Sequence, residues 1–62
     1  MNPYSDLSVN EIKEVLNKQG WVLYYLGKKA VCLRSSKTIE ASGDTLLEAT
    51  REVAKKVRAL DK

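Results

Sequence analysis

Trp21-Val22-Leu23-Tyr24-Tyr25-Leu26-Gly27-Lys28-Lys29-Ala30-Val31-Cys32-Leu33-Arg34 holds two runs of strand-forming residues on either side of a glycine and two lysines. Trp21 to Leu26 is aromatic, aliphatic or β-branched throughout, too short for a helix and of the composition that strands prefer. Gly27-Lys28-Lys29 predicts a turn, and Ala30 to Arg34 a second strand running back beside the first. Ser35-Ser36-Lys37 predicts another turn, and Thr38 to Ala41 alternates as a third strand. The centre of the chain therefore reads as an antiparallel meander.

Working outward, both flanks read as helices. Ser8 with Glu11 forms a capping box, and Leu7 with Ile12 has the spacing of a hydrophobic staple, so a helix starts at about Val9. Val9, Ile12, Val15 and Leu16 recur on one face. Gly20 ends the helix, and with Gly20 in the left-handed region Trp21 falls where a Schellman ending packs its apolar residue on Leu16. Beyond the third strand, Ser42-Gly43-Asp44-Thr45 reverses the chain, with Thr45 and Glu48 as a capping box or Asp44 as the cap. Leu46, Ala49, Thr50, Val53, Ala54, Val57 and Leu60 form the inward stripe of a second helix running to the end of the chain. The expected fold is a single small α+β domain over residues 1–62, α-β-β-β-α, a three-stranded antiparallel sheet with two helices on one face. Residues 1–7 are expected to be flexible or folded over the sheet.

Composition narrows the function. The 62 residues hold one domain at most, 44% hydrophobic and 31% charged, with no biased tract. A core of this size supplies about 3–5 kcal/mol of net stability, so association is a natural supplement. Eleven cationic against eight acidic residues leave +3, compatible with nucleic acid or an acidic protein as partner and diagnostic of neither. Histidine is absent, which removes the commonest general base and metal ligand. The single Cys32 can form no internal disulfide, and with the absence of an exported leader in Met1-Asn2-Pro3-Tyr4-Ser5-Asp6 it sets the expectation of a cytoplasmic protein. No Gly-rich phosphate loop, zinc spacing or catalytic triad is present in the sequence. No cofactor, metal or small-molecule substrate is expected, and no stretch is long and apolar enough for a membrane span.

Two candidate surfaces remain. The first strand is apolar on both faces: Trp21, Leu23 and Tyr25 point one way, Val22, Tyr24 and Leu26 the other. Only one face can lie under the helices, so Val22, Tyr24, Tyr25 and Leu26 are the candidate protein-interface residues, with the exposed member of the tyrosine pair left open. The second surface is basic: Lys28 and Lys29 at the hairpin tip, with Arg34 and Lys37 nearby, and a row of Arg51, Lys55, Arg58 and Lys62 along the last helix, with Lys56 beside it. Such residues can track a phosphate backbone, although lysine at a turn also guards a sheet edge and cations suit a helix C-terminus. Cys32, mid-strand with no histidine to activate it, reads as core.

Leu16-Asn17-Lys18-Gln19-Gly20-Trp21-Val22-Leu23, then Gly27, then Thr45-Leu46 opening the last helix, resembles the HicA-type toxins, small α-β-β-β-α domains related to the double-stranded-RNA-binding fold. The resemblance implies that architecture and an affinity for RNA. Those toxins cleave mRNA with a histidine just after the glycine that follows the first strand, and here that place reads Gly27-Lys28-Lys29-Ala30. Ribonuclease activity is therefore not implied. Gly43-Asp44-Thr45-Leu46-Leu47-Glu48-Ala49 is also similar to the strand-to-helix joint of the partner HicB-type antitoxins. The double-stranded-RNA-binding family carries its lysine cluster at the start of the last helix, whereas Lys55 and Lys56 come late here.

The expected function is that of a non-enzymatic protein-interaction module, regulatory or inhibitory, acting through its sheet face on a protein partner or as a homodimer. The alternative is an RNA- or DNA-binding module that uses the basic residues. Small chains of this type recur in mobile elements, an analogy that bears on origin alone.

Overall fold

The computed structural model describes residues 4–60 and has the element order α1 (Val9–Lys18), β1 (Val22–Leu26), β2 (Lys29–Arg34), β3 (Lys37–Ser42) and α2 (Leu46–Leu60). The sheet is antiparallel in the order β1-β2-β3. Both helices close on one face of it, where side chains from α1, α2 and all three strands form one buried cluster. The expected α+β architecture is the observed one.

Local chemistry sets the ends of α1. The Ser8 hydroxyl accepts from the Glu11 N–H at 3.3 Å, and the Glu11 carboxylate accepts from the Ser8 N–H at 3.1 Å, completing the capping box. At the other end Gly20 has φ +90, its N–H donates to the Asn17 carbonyl, and the Trp21 N–H donates to the Leu16 carbonyl at 2.9 Å. This is the Schellman pattern, and it delivers Trp21 into the core at the mouth of β1.

Strands β2 and β3 are longer, and the turns shorter, than the composition suggests, while β1 begins one residue later than expected because Trp21 belongs to the helix ending. Lys29 and Lys37 are strand residues, which leaves Gly27-Lys28 and Ser35-Ser36 as two-residue turns. The first central residue of each has positive φ, +61 at Gly27 and 54 at Ser35, a twist that matches the flanking strands. Glycine takes that conformation freely; Ser35 is the one non-glycine described residue that does so.

Helix α2 starts on Thr45, whose hydroxyl accepts from the Glu48 N–H at 3.1 Å, while the Glu48 carboxylate reaches past it to the Asp44 N–H. Its buried stripe is Ala49, Thr50, Val53, Ala54 and Val57. The expected terminal members, Leu46 and Leu60, are 46% and 45% exposed instead.

Of the N-terminal segment, expected to be flexible or folded over the sheet, the structure describes residues 4–7. Tyr4 is buried in the core cluster on the helix side, and Leu7 packs against that cluster. Tyr4 and Leu7 are tied into a turn by the Leu7 N–H donating to the Tyr4 carbonyl. Residues 1–3 and 61–62, Lys62 of the basic row among them, lie outside the described residues.

Candidate functional site

Register assigns every strand residue to a face. Opposed residues in an antiparallel pair point the same way, so Leu23–Cys32–Ile39 and Tyr25–Ala30–Ala41 lie on the inner face. Val22–Leu33–Thr38, Tyr24–Val31–Glu40 and Leu26–Lys29–Ser42 lie on the outer one. Tyr25 therefore does not share a surface with Val22, Tyr24 and Leu26. Its hydroxyl meets that of Thr50 on α2, which in turn donates to the Leu46 carbonyl at 2.6 Å. With the single Thr50 proton used there, Tyr25 is the donor to Thr50. The open tyrosine is Tyr24.

The outer face grades across its width. At β1 it presents Val22, 60% exposed, Tyr24, 38%, and Leu26, 59%. At β3 it presents Thr38, Glu40 and Ser42. Between them Val31 is 1% exposed yet stands apart from the core cluster, because it is enclosed by its own neighbours on the outer face rather than by the helices. Lys29 spans the gradient, its Nζ 3.1 Å from the Glu40 carboxylate. At this exposure the ion pair contributes about 0–1 kcal/mol, and it serves chiefly to orient the charges at the β3 side.

The two edges of the sheet differ in the same direction. The Gly43 N–H donates to the Lys28 carbonyl, continuing the β2–β3 ladder, so Lys28, Ala30 and Cys32 bond toward β3 while Lys29, Val31 and Leu33 bond toward β1. Thr38, Glu40 and Ser42 then turn their backbone groups out along the β3 edge, and Lys56 from α2 donates to the Glu40 carbonyl at 3.0 Å. Lys29, Glu40 and Lys56 together rim a shallow depression of about 190 Å³ there, smaller than ordinary ligand pockets. At β1, Leu23 and Tyr25 turn their backbone groups out. Among the described residues no backbone hydrogen bond outside the sheet reaches them, and no residue of β1 carries a charge.

The basic residues are not gathered into one surface. Lys28 occupies the β1–β2 turn and Lys29 is engaged with Glu40 on the outer face. Helix α2 packs on the inner face, where Arg51 is half-buried and donates to the Leu7 carbonyl at 3.2 Å. Lys55 and Arg58 are exposed on that helix. The Lys29–Glu40 and Arg51–Leu7 links are between residues far apart in sequence, and no local pattern announces them.

Arg34, one of the cations near the hairpin in sequence, is engaged elsewhere. Its guanidinium stacks 4.5 Å from the centroid of the Trp21 ring and donates to the Gln19 carbonyl at 3.3 Å, closing the α1–β1 corner. Cys32 is fully buried on the inner face, and burial pushes its thiol up to about 11, so it stays protonated and unreactive at neutral pH. Among the described residues no acidic, cysteine or histidine cluster of metal-binding size is found, and no helix is long and apolar enough to cross a membrane.

No protein-family model matches the chain, and neither curated proteins nor solved structures give a match.

Proposed function

We propose that the protein is a non-enzymatic interaction module whose working surface is the outer face of the sheet, centred on Val22, Tyr24 and Leu26. The observation that carries this reading is that these three apolar side chains stand exposed on one strand while both helices pack on the opposite face. Contiguous apolar surface of this kind is covered by a partner in most proteins that retain it. The catalytic inventory supports binding over chemistry: the sequence lacks histidine and its one thiol is buried and protonated. A cytoplasmic location belongs to the same proposal, since the lone Cys32 suits a reducing compartment.

The test is an affinity capture from host lysate with and without nuclease, comparing the wild type with Leu26→Ser and Tyr24→Ser. A protein retained after nuclease and lost in folded variants supports the reading. Retention that ignores both substitutions overturns it.

Nucleic-acid binding is the second reading, favoured by the exposed Lys28, Lys55 and Arg58 and by the resemblance to HicA-type toxins. Against it, Lys29 and Arg51 are already engaged within the fold. It requires affinity for an RNA or DNA duplex that falls steeply with salt; affinity flat in salt excludes it.

A further inference from the structure

We infer that the partner of the β1 side is a second copy of this chain, joined edge to edge through antiparallel pairing of β1 with β1 about a two-fold axis at Tyr24. The inference rests on the outer face being an interaction surface and names its occupant.

An exposed strand edge is a template for another strand, and proteins that stay monomeric guard such edges with charge or cover. Here the guards are unevenly placed. The β3 edge has Glu40 on the strand, Lys29 paired to it and Lys56 bound to its carbonyl. The β1 edge is five uncharged residues, Val22 to Leu26, and it is also where the exposed apolar side chains stand.

The hydrogen-bonding phase fixes how two such edges can meet. Only Leu23 and Tyr25 turn N–H and C=O outward within β1, so an antiparallel ladder must pair these odd-numbered positions. Three registers satisfy that condition. Centring on Leu23 sets Leu26 opposite Gly20 of the other copy, and centring on Tyr25 sets Val22 opposite Lys28. Centring on Tyr24 pairs the whole strand with itself: Leu23 with Tyr25 in both directions, giving four backbone hydrogen bonds, and Val22 with Leu26 on either side of a Tyr24–Tyr24 contact. Each of the three exposed apolar residues on the outer face then acquires an apolar cross-strand neighbour. An isologous contact needs a surface complementary to itself. The order aliphatic, tyrosine, aliphatic on the outer face has that property, and the absence of charge in β1 leaves nothing to repel across the axis. The product is a continuous six-stranded sheet bounded at both ends by the guarded β3 edges.

Sedimentation of the wild-type chain over a range of concentrations, with amide exchange followed by NMR, tests this directly. The expected result is a monomer–dimer equilibrium in which the Leu23 and Tyr25 amides gain protection as concentration rises and those of Thr38 and Ser42 do not. In a Cys32→Ala background, Tyr24→Cys should form an intermolecular disulfide under mild oxidation, because non-hydrogen-bonded partners stand about 4.5 Å apart at Cα. Thr38→Cys should not. Tyr24→Lys, with its fold checked by circular dichroism, should raise the dissociation constant by about tenfold or more. A chain monomeric at millimolar concentration overturns the inference, while loss of a captured protein on Leu26→Ser would still uphold the outer face as a docking surface. A dimer that crosslinks through Thr38→Cys with unprotected β1 amides also overturns it, in favour of stacked faces.

Discussion

The inner face of the sheet sets the small residues Ala30, Cys32 and Ala41 among the larger Leu23, Tyr25 and Ile39, whereas the outer face leaves the large apolar residues Val22, Tyr24 and Leu26 exposed. Ala30 and Cys32 lie on the central strand and Ala41 beside Ala30 on β3, and the helices contribute Ile12, Leu16, Val53 and Val57 to the same cluster. On the outer face Val22, Tyr24, Leu26, Val31 and Leu33 meet one another and the polar residues Lys29, Thr38 and Glu40, with no helix over them. Small residues on a covered face let a helix approach closely; large residues on an open face have no folding role of comparable size. The two faces thus separate stability from the recognition proposed for the open one.

That separation breaks most visibly at Leu16, fully buried between helix and sheet. Leu16→Ala should cost about 2–5 kcal/mol, enough to unfold most of a domain this small, as a lost or strongly shifted urea transition would report. Ala30→Leu adds bulk where α2 needs close approach and should cost about 1–3 kcal/mol, whereas a similar cost for a leucine on the open face would remove the distinction. Cys32 gives the comparison a pH axis. Its folded pKa of about 11 lies above the ordinary 9.0, so its contribution is intact below about pH 9 and declines as pH rises toward 11. The loss approaches about 1.4 kcal/mol per pH unit. Cys32→Ala should flatten the alkaline limb of the urea midpoint, and an unchanged limb would assign it to other groups. The smallest effect is expected at Leu26→Ser, which should move the unfolding free energy by about 0.5 kcal/mol or less while impairing association. A large loss of stability there would make the outer face part of the core after all.

The elements and several of their ends were legible in the sequence because their causes are local. Ser8 and Glu11 are three residues apart, Gly20 acts on the turn that precedes it, and the run Trp21 to Leu26 has one plausible conformation. The strand boundaries were less so. Lys29 and Lys37 look like turn residues by composition, yet a two-residue turn places both in the ladder. The candidate site was legible as a strand with a surplus apolar face, and not as a choice between Tyr24 and Tyr25, because alternation gives two faces without saying which one a helix covers. Tyr25 is claimed by Thr50, 25 residues away. The expected basic surface likewise depended on contacts to Glu40 and Leu7 that no spacing encodes.

By itself the sequence determined a meander between two amphipathic helices, since periodicity, caps and turn residues each act over a few positions. It also determined that strand β1 has more apolar side chains than one covered face can use. Tertiary structure alone decided that Val22, Tyr24 and Leu26 are the surplus, that the exposed Lys28 lies in the hairpin turn apart from Lys55 and Arg58 on the helix, and that, among the described residues, one edge of the sheet is guarded and the other is not. Those outcomes follow from which side chains meet across the register and across the helix–sheet interface, and such meetings are properties of the folded chain rather than of any segment within it.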